Sequence, residues 1–179
     1  MKIKAVYPGT FDPIHFGHID IIQRSAELFE EVIVAVYDKP LKSLVFPFEE
    51  RIALVRQAVQ ELALANVEAV GYNGLTVDFC RRVNAKVIIR GLRVFSDFEF
   101  EFRMALANRR LAPEIDIVNL ITNEQHTFLS STTVREIASL GGDVGTMVPP
   151  HVEVALKRRF RELGEDGSAR VVPMTQLRD

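Results

Sequence analysis

Five short apolar runs, rich in β-branched residues, recur along this chain at residues 3–7, 32–37, 67–71, 87–89 and 115–121. Most are continuous rather than alternating, which is how strands covered on both faces read. Helical patterns fill the intervals. Ile19, Ile22, Ala26 and Phe29 repeat at helical spacing, as do Ile52, Val55, Val59 and Leu62. Pro47 stands near the start of the second helix, with Glu49 and Glu50 in its first turn, where the helix dipole favours negative charge. A shorter helix is expected from Thr76 to Asn84. A fourth is expected from Asp97 to Leu111, stopped by Ala112 and Pro113. Strand and helix alternate, which predicts the α/β class with a parallel sheet. The expected architecture is a doubly wound five-stranded parallel sheet with helices on both faces.

After the fifth run the pattern changes. Residues 122–131 read as a polar loop. Residues 133–140 read as a short helix ended by Gly141 and Gly142. Pro149 and Pro150 open a C-terminal helix striped by Val152, Leu156, Phe160 and Leu163. The reading is a single domain over residues 1–163, followed by a polar, loosely ordered tail over 164–179. The chain is 179 residues long, enough for one core, and its formal net charge of -2 excludes a general nucleic-acid or membrane binder. Its one cysteine, Cys80, falls in an apolar helical pattern and reads as a small buried hydrophobe. A lone cysteine fits a reducing compartment, and neither a signal-peptide pattern nor a long apolar span is evident. The expectation is a cytoplasmic protein.

The stretch from Val6 to His18 carries the strongest chemical signal. Pro8 and Gly9 are expected to stop the first strand, and Pro13 to keep the next loop extended. Gly17 and His18 stand at the start of a helix. A strand end, a tight loop and a helix N-terminus thus meet within a few residues, and free N–H groups there favour an anion. His15 and His18 are three residues apart, which puts both rings on one side. Gly17 between them leaves the backbone open to a phosphate.

Other polar residues collect at the carboxyl ends of strands, where doubly wound sheets bind ligands. Lys39 and Lys42 follow the second strand. Arg90 and Arg93 follow the fourth. Ser130, Ser131, Thr132, Thr133 and Arg135 follow the fifth. Each has a bland alternative: solvated charges, a surface ion pair, or a helix cap. Together they set a basic mouth on an acidic protein, which suits a small polyanion. Neither the G-x-G-x-x-G fingerprint after the first strand nor a Walker P-loop is present. No nucleophilic triad is evident, so charge stabilisation and positioning remain, as in in-line phosphoryl or nucleotidyl transfer.

His15-x-Gly17-His18 resembles the HxGH motif of the nucleotidylyltransferase superfamily. Six segments, in order and at similar spacing, resemble the bacterial phosphopantetheine adenylyltransferases. They are residues 7–18, Lys42, residues 48–51 (Phe-Glu-Glu-Arg), residues 90–93 (Arg-Gly-Leu-Arg), residues 97–101 (Asp-Phe-Glu-Phe-Glu) and residues 128–132 (Phe-Leu-Ser-Ser-Thr). The likeness runs from about Lys2 to Phe160. It implies a Rossmann-like fold with a C-terminal helical segment. It also implies a reaction that joins ATP and 4'-phosphopantetheine into dephospho-coenzyme A and pyrophosphate.

The resemblance also implies roles. His18 would stabilise charge growing on the ATP phosphates. Thr10 would hold the α-phosphate and touch both substrates, with Phe11 beside it. Lys42 and Arg90 would bind the acceptor phosphate, Lys42 as part of the catalytic set. Gly91, Leu92 and Arg93 would line the ATP site, and Glu101 would contact the nucleotide. The loop His126, Thr127, Phe128, Leu129, Ser130, Ser131 and Thr132 would close over adenine and triphosphate. Thr76 would meet the pantetheine arm. Mg²⁺ is implied as cofactor, carried largely by the phosphates with no protein metal site. A homohexamer is implied, with some of Phe95, Phe98, Phe100 and Phe102 packing against another subunit, and coenzyme A as a possible feedback ligand. His15, Thr76, His126 and Thr132 depart from the commonest family pattern. Two rivals share features. A nicotinamide or nicotinate mononucleotide adenylyltransferase, or a cytidylyltransferase, would share the HxGH opening. A non-catalytic adenine-nucleotide-binding module would share the fold. Lys42 and the Arg90–Arg93 run argue against the first; intact Thr10, His18 and Lys42 argue against the second.

Overall fold

The computed structural model describes residues 3–41 and 43–165. Five strands form one parallel sheet in the order β3-β2-β1-β4-β5. They are β1 (Lys4–Gly9), β2 (Glu31–Tyr37), β3 (Val67–Tyr72), β4 (Val87–Leu92) and β5 (Asp116–Ile121). The crossovers are α1 (Phe16–Leu28), α2 (Phe48–Glu61), α3 (Thr76–Arg82) and α4 (Phe95–Leu111). A 3₁₀ turn at Glu124–His126 lies within the expected polar loop; α5 (Ser131–Ser139) and α6 (Pro150–Glu165) follow. The chain winds outward from β1 to β3, then returns to the other side of β1 for β4. The order therefore reverses between β1 and β4.

The continuous apolar runs are explained by a core on each face. Ala5, Tyr7, Val32, Val34, Val36, Val87 and Ile89 pack on one side with residues of α1, α2, α5 and α6. Val6, Ile33, Ala35 and Ile88 pack on the other with Val77, Phe79 and Cys80 of α3 and with Ala112. Alternate residues thus enter opposite cores. The edge strands β3 and β5 are more exposed, as one-sided pairing requires. Cys80 is fully buried, and burial pushes its thiol up to about 11, so it is an inert core residue.

Pro8 and Gly9 do not stop β1. The strand runs through both, paired with β2 up to Gly9↔Val36. What stops is pairing on the other side: β1 and β4 are joined only at Ala5↔Val87 and Val6↔Ile88. The carbonyl of Pro8 faces β4, where Arg90 donates to it. Its nitrogen faces the same way and has no hydrogen, so the ladder lacks the donor that would continue it. β4 goes on pairing with β5 as far as Leu92↔Ile121. The sheet therefore splits at its carboxyl edge, at the point where strand order reverses.

Several helix boundaries differ from expectation: α3 ends at Arg82 rather than Asn84, and α4 begins at Phe95, two residues before Asp97. α5 begins at Ser131, because Ser130 caps it by accepting from the Thr133 N–H at 3.0 Å. α6 continues through Gly164 and Glu165, two residues into the expected tail. The rest of that tail, residues 166–179, lies outside the described residues.

Candidate active site

The loop after β1 is held from four directions. Asp12 is buried, and its two carboxylate oxygens accept from the N–H groups of Val45 and Phe46, each at 2.9 Å. Arg135 of α5 donates to the Asp12 carbonyl at 2.5 Å and lies 3.5 Å from its carboxylate. Ser131 Oγ donates to the Pro13 carbonyl at 2.9 Å. Arg51 of α2 donates to the Thr10 carbonyl at 2.7 Å. Asp12 is thus a brace, and its oxygens are occupied by amides and a guanidinium. Gly9 is required by a close approach: a Cβ there would lie 2.8 Å from the Phe11 ring.

His15 and His18 do share one side. Their rings stack with centroids 3.6 Å apart. The two differ in role. His15 is the extended residue before α1 and is buried; burial first, then the charges of Arg93 and His126, push its pKa down to about 3. It is neutral, and packs behind His18. The His15 N–H donates to His18 Nδ1 at 3.2 Å. That fixes Nδ1 of His18 as acceptor and makes Nε2 the protonated nitrogen of the neutral ring. The edge of Phe11 packs against His18, with centroids 4.9 Å apart. Gly17 serves this stack: a Cβ there would lie 3.1 Å from the His15 ring. Its lack of a side chain makes room for a histidine, where the sequence suggested room for a phosphate.

Across the split, Arg90 bridges β4 to β1 through Pro8, at 3.1 Å. Its other bonds go to Glu101 of α4, from Nε at 2.8 Å and from Nη2 at 2.5 Å. Glu101 is the one buried residue of α4. Its carboxylate faces Arg90, a pairing the spacing did not foretell. Arg93 is held by Asp97 through its backbone N–H at 3.0 Å and through its guanidinium at 3.1 and 3.2 Å. Burial raises the pKa of Asp97, but these bonds outweigh it and hold the carboxyl below its usual range. Arg93 also donates to the Leu129 carbonyl at 3.0 Å, tying β4 to the loop before α5. Gly91 and Leu92 lie between the two arginines; a Cβ at Gly91 would come within 3.3 Å of Ile21.

The loop over α1 is partly ordered by itself. His126 stacks on Phe16 with centroids 6.4 Å apart. Thr127 Oγ1 donates to the Glu124 carbonyl at 2.9 Å. Leu129 is fully buried and Phe128 is exposed. Ser130 acts as the cap of α5. Ser131 reaches Pro13, and Thr132 Oγ1 lies 3.4 Å from Arg135. Thr76 stands apart, at the start of α3 beyond edge strand β3, and its hydroxyl pairs with that of Tyr72 at 2.9 Å. Lys42 lies outside the described residues.

The structure thus gathers Thr10, Phe11, His18, Arg90, Gly91, Leu92, Arg93, Glu101 and residues 126–132 around the split, and places Thr76 two strands away. Arg51 entered the sequence reading only as part of the segment 48–51, with no role given to it. Its signal was present: with Leu54, Val55 and Ala58 at helical spacing, it falls on the apolar face of α2.

A parting of β1 from β4 at a switch point, flanked by Arg90 and Arg93 and by a histidine whose donor nitrogen is fixed, defines a nucleotide-handling α/β protein. Residues 6–137 match the family described as cytidylyltransferase-like. Curated relatives are named phosphopantetheine adenylyltransferase. The one from Methylococcus capsulatus is 52% identical over 92% of this chain and 100% of its own length. Those from Roseiflexus sp. and Alkalilimnicola ehrlichii are 52% and 50% identical, over 87% and 93% of this chain and 96% of each relative. A solved structure of the Plasmodium falciparum nicotinic acid mononucleotide adenylyltransferase, complexed with NaAD, superposes with a TM-score of 0.68. It covers 90% of this chain and 97% of that one, and at 15% identity the likeness is one of fold. The chain belongs to the cytidylyltransferase-like family, within its phosphopantetheine adenylyltransferase branch.

Proposed function

We infer that this chain transfers the adenylyl group of ATP to 4'-phosphopantetheine, giving dephospho-coenzyme A and pyrophosphate in coenzyme A biosynthesis. The observation that carries the reading from geometry is the parting of β1 and β4 beyond Val6↔Ile88, with Thr10 and His18 on one side and Arg90 and Arg93 on the other. An ionised acceptor phosphate needs no general base. The protein's work is alignment and charge neutralisation.

His18 Nε2–H donates to the oxygens of the ATP phosphates, where charge grows as the bond to pyrophosphate breaks. The His15 N–H on Nδ1 holds that tautomer. Thr10 sits between the two substrates. Arg90 and Lys42 take the acceptor phosphate. Glu101 and Pro8 use three of the five N–H donors of Arg90 among the described residues, which leaves two for an incoming oxyanion. Thr76, two strands from β1, is about 10 Å away by strand spacing, within reach of an extended pantetheine arm. Gly91, Leu92, Arg93 and residues 126–132 hold the nucleotide, with the exposed Phe128 free to cover it.

Mg²⁺ belongs to this proposal. Among the described residues no three His, Cys, Asp or Glu side chains group as a metal site. The carboxylates near the split, Glu101 and Asp97, are paired with Arg90 and Arg93, so phosphate oxygens would hold the ion, where it offsets their charge. The homohexamer belongs to it too, supported by the exposed Phe95, Phe98 and Phe102 of α4, which stack in series at 6.3 and 5.9 Å. Coenzyme A, which contains the acceptor's pantetheine arm, is the candidate feedback ligand. No helix among the described residues is long and apolar enough to cross a membrane; a cytoplasmic site of action is the accompanying proposal.

The test is a panel of phosphorylated acceptors with ATP and Mg²⁺, read by pyrophosphate release. Turnover with 4'-phosphopantetheine and not with nicotinate mononucleotide is expected. The reverse preference, or nucleotide binding without turnover, would overturn the reading.

A further inference from the structure

Arg51 is fully buried in α2, yet among the described residues none of its hydrogen bonds goes to a carboxylate. Nη1 donates to the carbonyls of Thr10 and Tyr37, both at 2.7 Å, and Nη2 to the carbonyl of Asp38 at 2.9 Å. Its Nε–H has no hydrogen-bond partner among the described residues. The Phe48 ring lies under the guanidinium, 5.7 Å from centroid to Cζ. Burying an arginine this way is costly, and a hydrophobic residue would pack the same volume at less cost. A positional duty accounts for the expense.

The three carbonyls define that duty. β1 and β2 pair as far as Gly9↔Val36. Thr10, Tyr37 and Asp38 come just after, where the β1–β2 ladder has ended and the two chains are free to diverge. The planar fork of Arg51 spans them, replacing the missing rungs with a rigid donor of fixed width. It sets the spacing between the exit of β1, which carries Thr10, and the exit of β2, whose chain leads on to Lys42. Those two exits supply the residues that the proposed reaction needs on its two phosphates.

We propose that Arg51 is a positioning residue of the transfer reaction, fixing Thr10 relative to the segment after β2 through the carbonyls of Thr10, Tyr37 and Asp38. This rests on the function proposed above. Its effect passes through backbone, so it appears in the alignment of acceptor with α-phosphate. ATP also meets Thr10 and His18, but most of its contacts come from β4 and the loop before α5, so its binding is largely spared.

The test uses Arg51→Gln and Arg51→Lys in the full chain, each alone and with Thr10→Val, with folding checked by circular dichroism and thermal melting. Arg51→Gln is expected to lower kcat/KM for the acceptor about 100-fold while the KM for ATP moves less than about threefold. Arg51→Lys, which keeps the charge and part of the bonding, should recover part of that loss. With Thr10→Val already present, Arg51→Gln should cost less than about threefold, because the group it aligns is gone. Equal losses in both backgrounds would mean a structural role alone and would overturn the proposal. So would wild-type kinetics from folded Arg51→Gln. If Arg51→Gln does not fold, Arg51→Lys and its cycle with Thr10→Val are read in the same way. Should the unaltered protein not turn over 4'-phosphopantetheine at all, the functional reading itself fails; wild-type turnover with an indifferent Arg51 sinks only this inference.

Discussion

The backbone N–H of His15 points at Nδ1 of His18, 3.2 Å away, while the two rings stack at 3.6 Å. One histidine is thereby spent on orienting the other. His18 enters the site with its Nε2–H donor chosen in advance, and that preorganisation is what transition-state stabilisation requires.

Replacing His18 by alanine removes the donor without touching the arginines. Turnover is expected to fall about 100- to 1,000-fold, the usual loss for one transition-state donor. The dissociation constant for ATP should change only a few-fold, because a ground-state phosphate is still held by other groups. Steady-state kinetics beside calorimetric ATP binding separates the two; equal losses in both would contradict a transition-state role.

His15 makes stability depend on pH. Its pKa is lowered from 6.5 to about 3 in the folded chain, chiefly by burial. Below pH 6.5 the unfolded chain takes up a proton that the folded chain refuses. The contribution of the neutral ring is therefore fully present above pH 6.5 and is lost as pH falls towards about 3. The slope is at most about 1.4 kcal/mol per pH unit. Urea unfolding of His15→Gln and the unaltered chain, compared between pH 7 and 4, should show a shallower acid loss in the variant. Parallel curves would rule the effect out.

Asp12 should matter for stability more than for chemistry. Asp12→Ala leaves the buried Phe46 amide and the partly buried Val45 amide unpaired and removes the carboxylate beside Arg135. The expected cost is about 3 kcal/mol or more. Asp12→Asn keeps one acceptor oxygen and should cost less. Unfolding midpoints measure both, and an alanine variant as stable as the parent would show that the brace contributes nothing.

The α4 face predicts assembly. Phe95 is 88% exposed and Phe98 48%, values no isolated chain needs on neighbouring turns. Phe98→Glu should shift the protein to smaller species in size-exclusion chromatography with light scattering. An unchanged mass would place the contact elsewhere.

Much of the fold was legible because it rests on local rules. Continuous apolar runs mark strands covered twice, the spacing around Ile52, Val55 and Val59 marks a helix, and their alternation leaves a parallel sheet as the architecture. The carboxyl-edge placement of Thr10, His18, Arg90, Arg93 and Ser130 follows from the same rule. Residues 7–18 with Arg90–Arg93 were specific enough to point to the family.

Depth, partner and register were settled only in three dimensions. Pro8 reads as a strand stop in one dimension, whereas the sheet lets it pass along β2 and uses its missing hydrogen to part β1 from β4. Glu101 reads as a nucleotide contact through the resemblance, but only the approach of α4 to β4 turns it onto Arg90. Arg51 reads only as the last residue of the family-like segment 48–51, with no role attached. Its burial exists because two strands that are far apart in sequence end side by side beneath it. Sequence fixes which backbone shape each segment favours, since that depends on neighbours along the chain. Which polar groups end up facing one another depends on neighbours across space, and those are created only when the layers close.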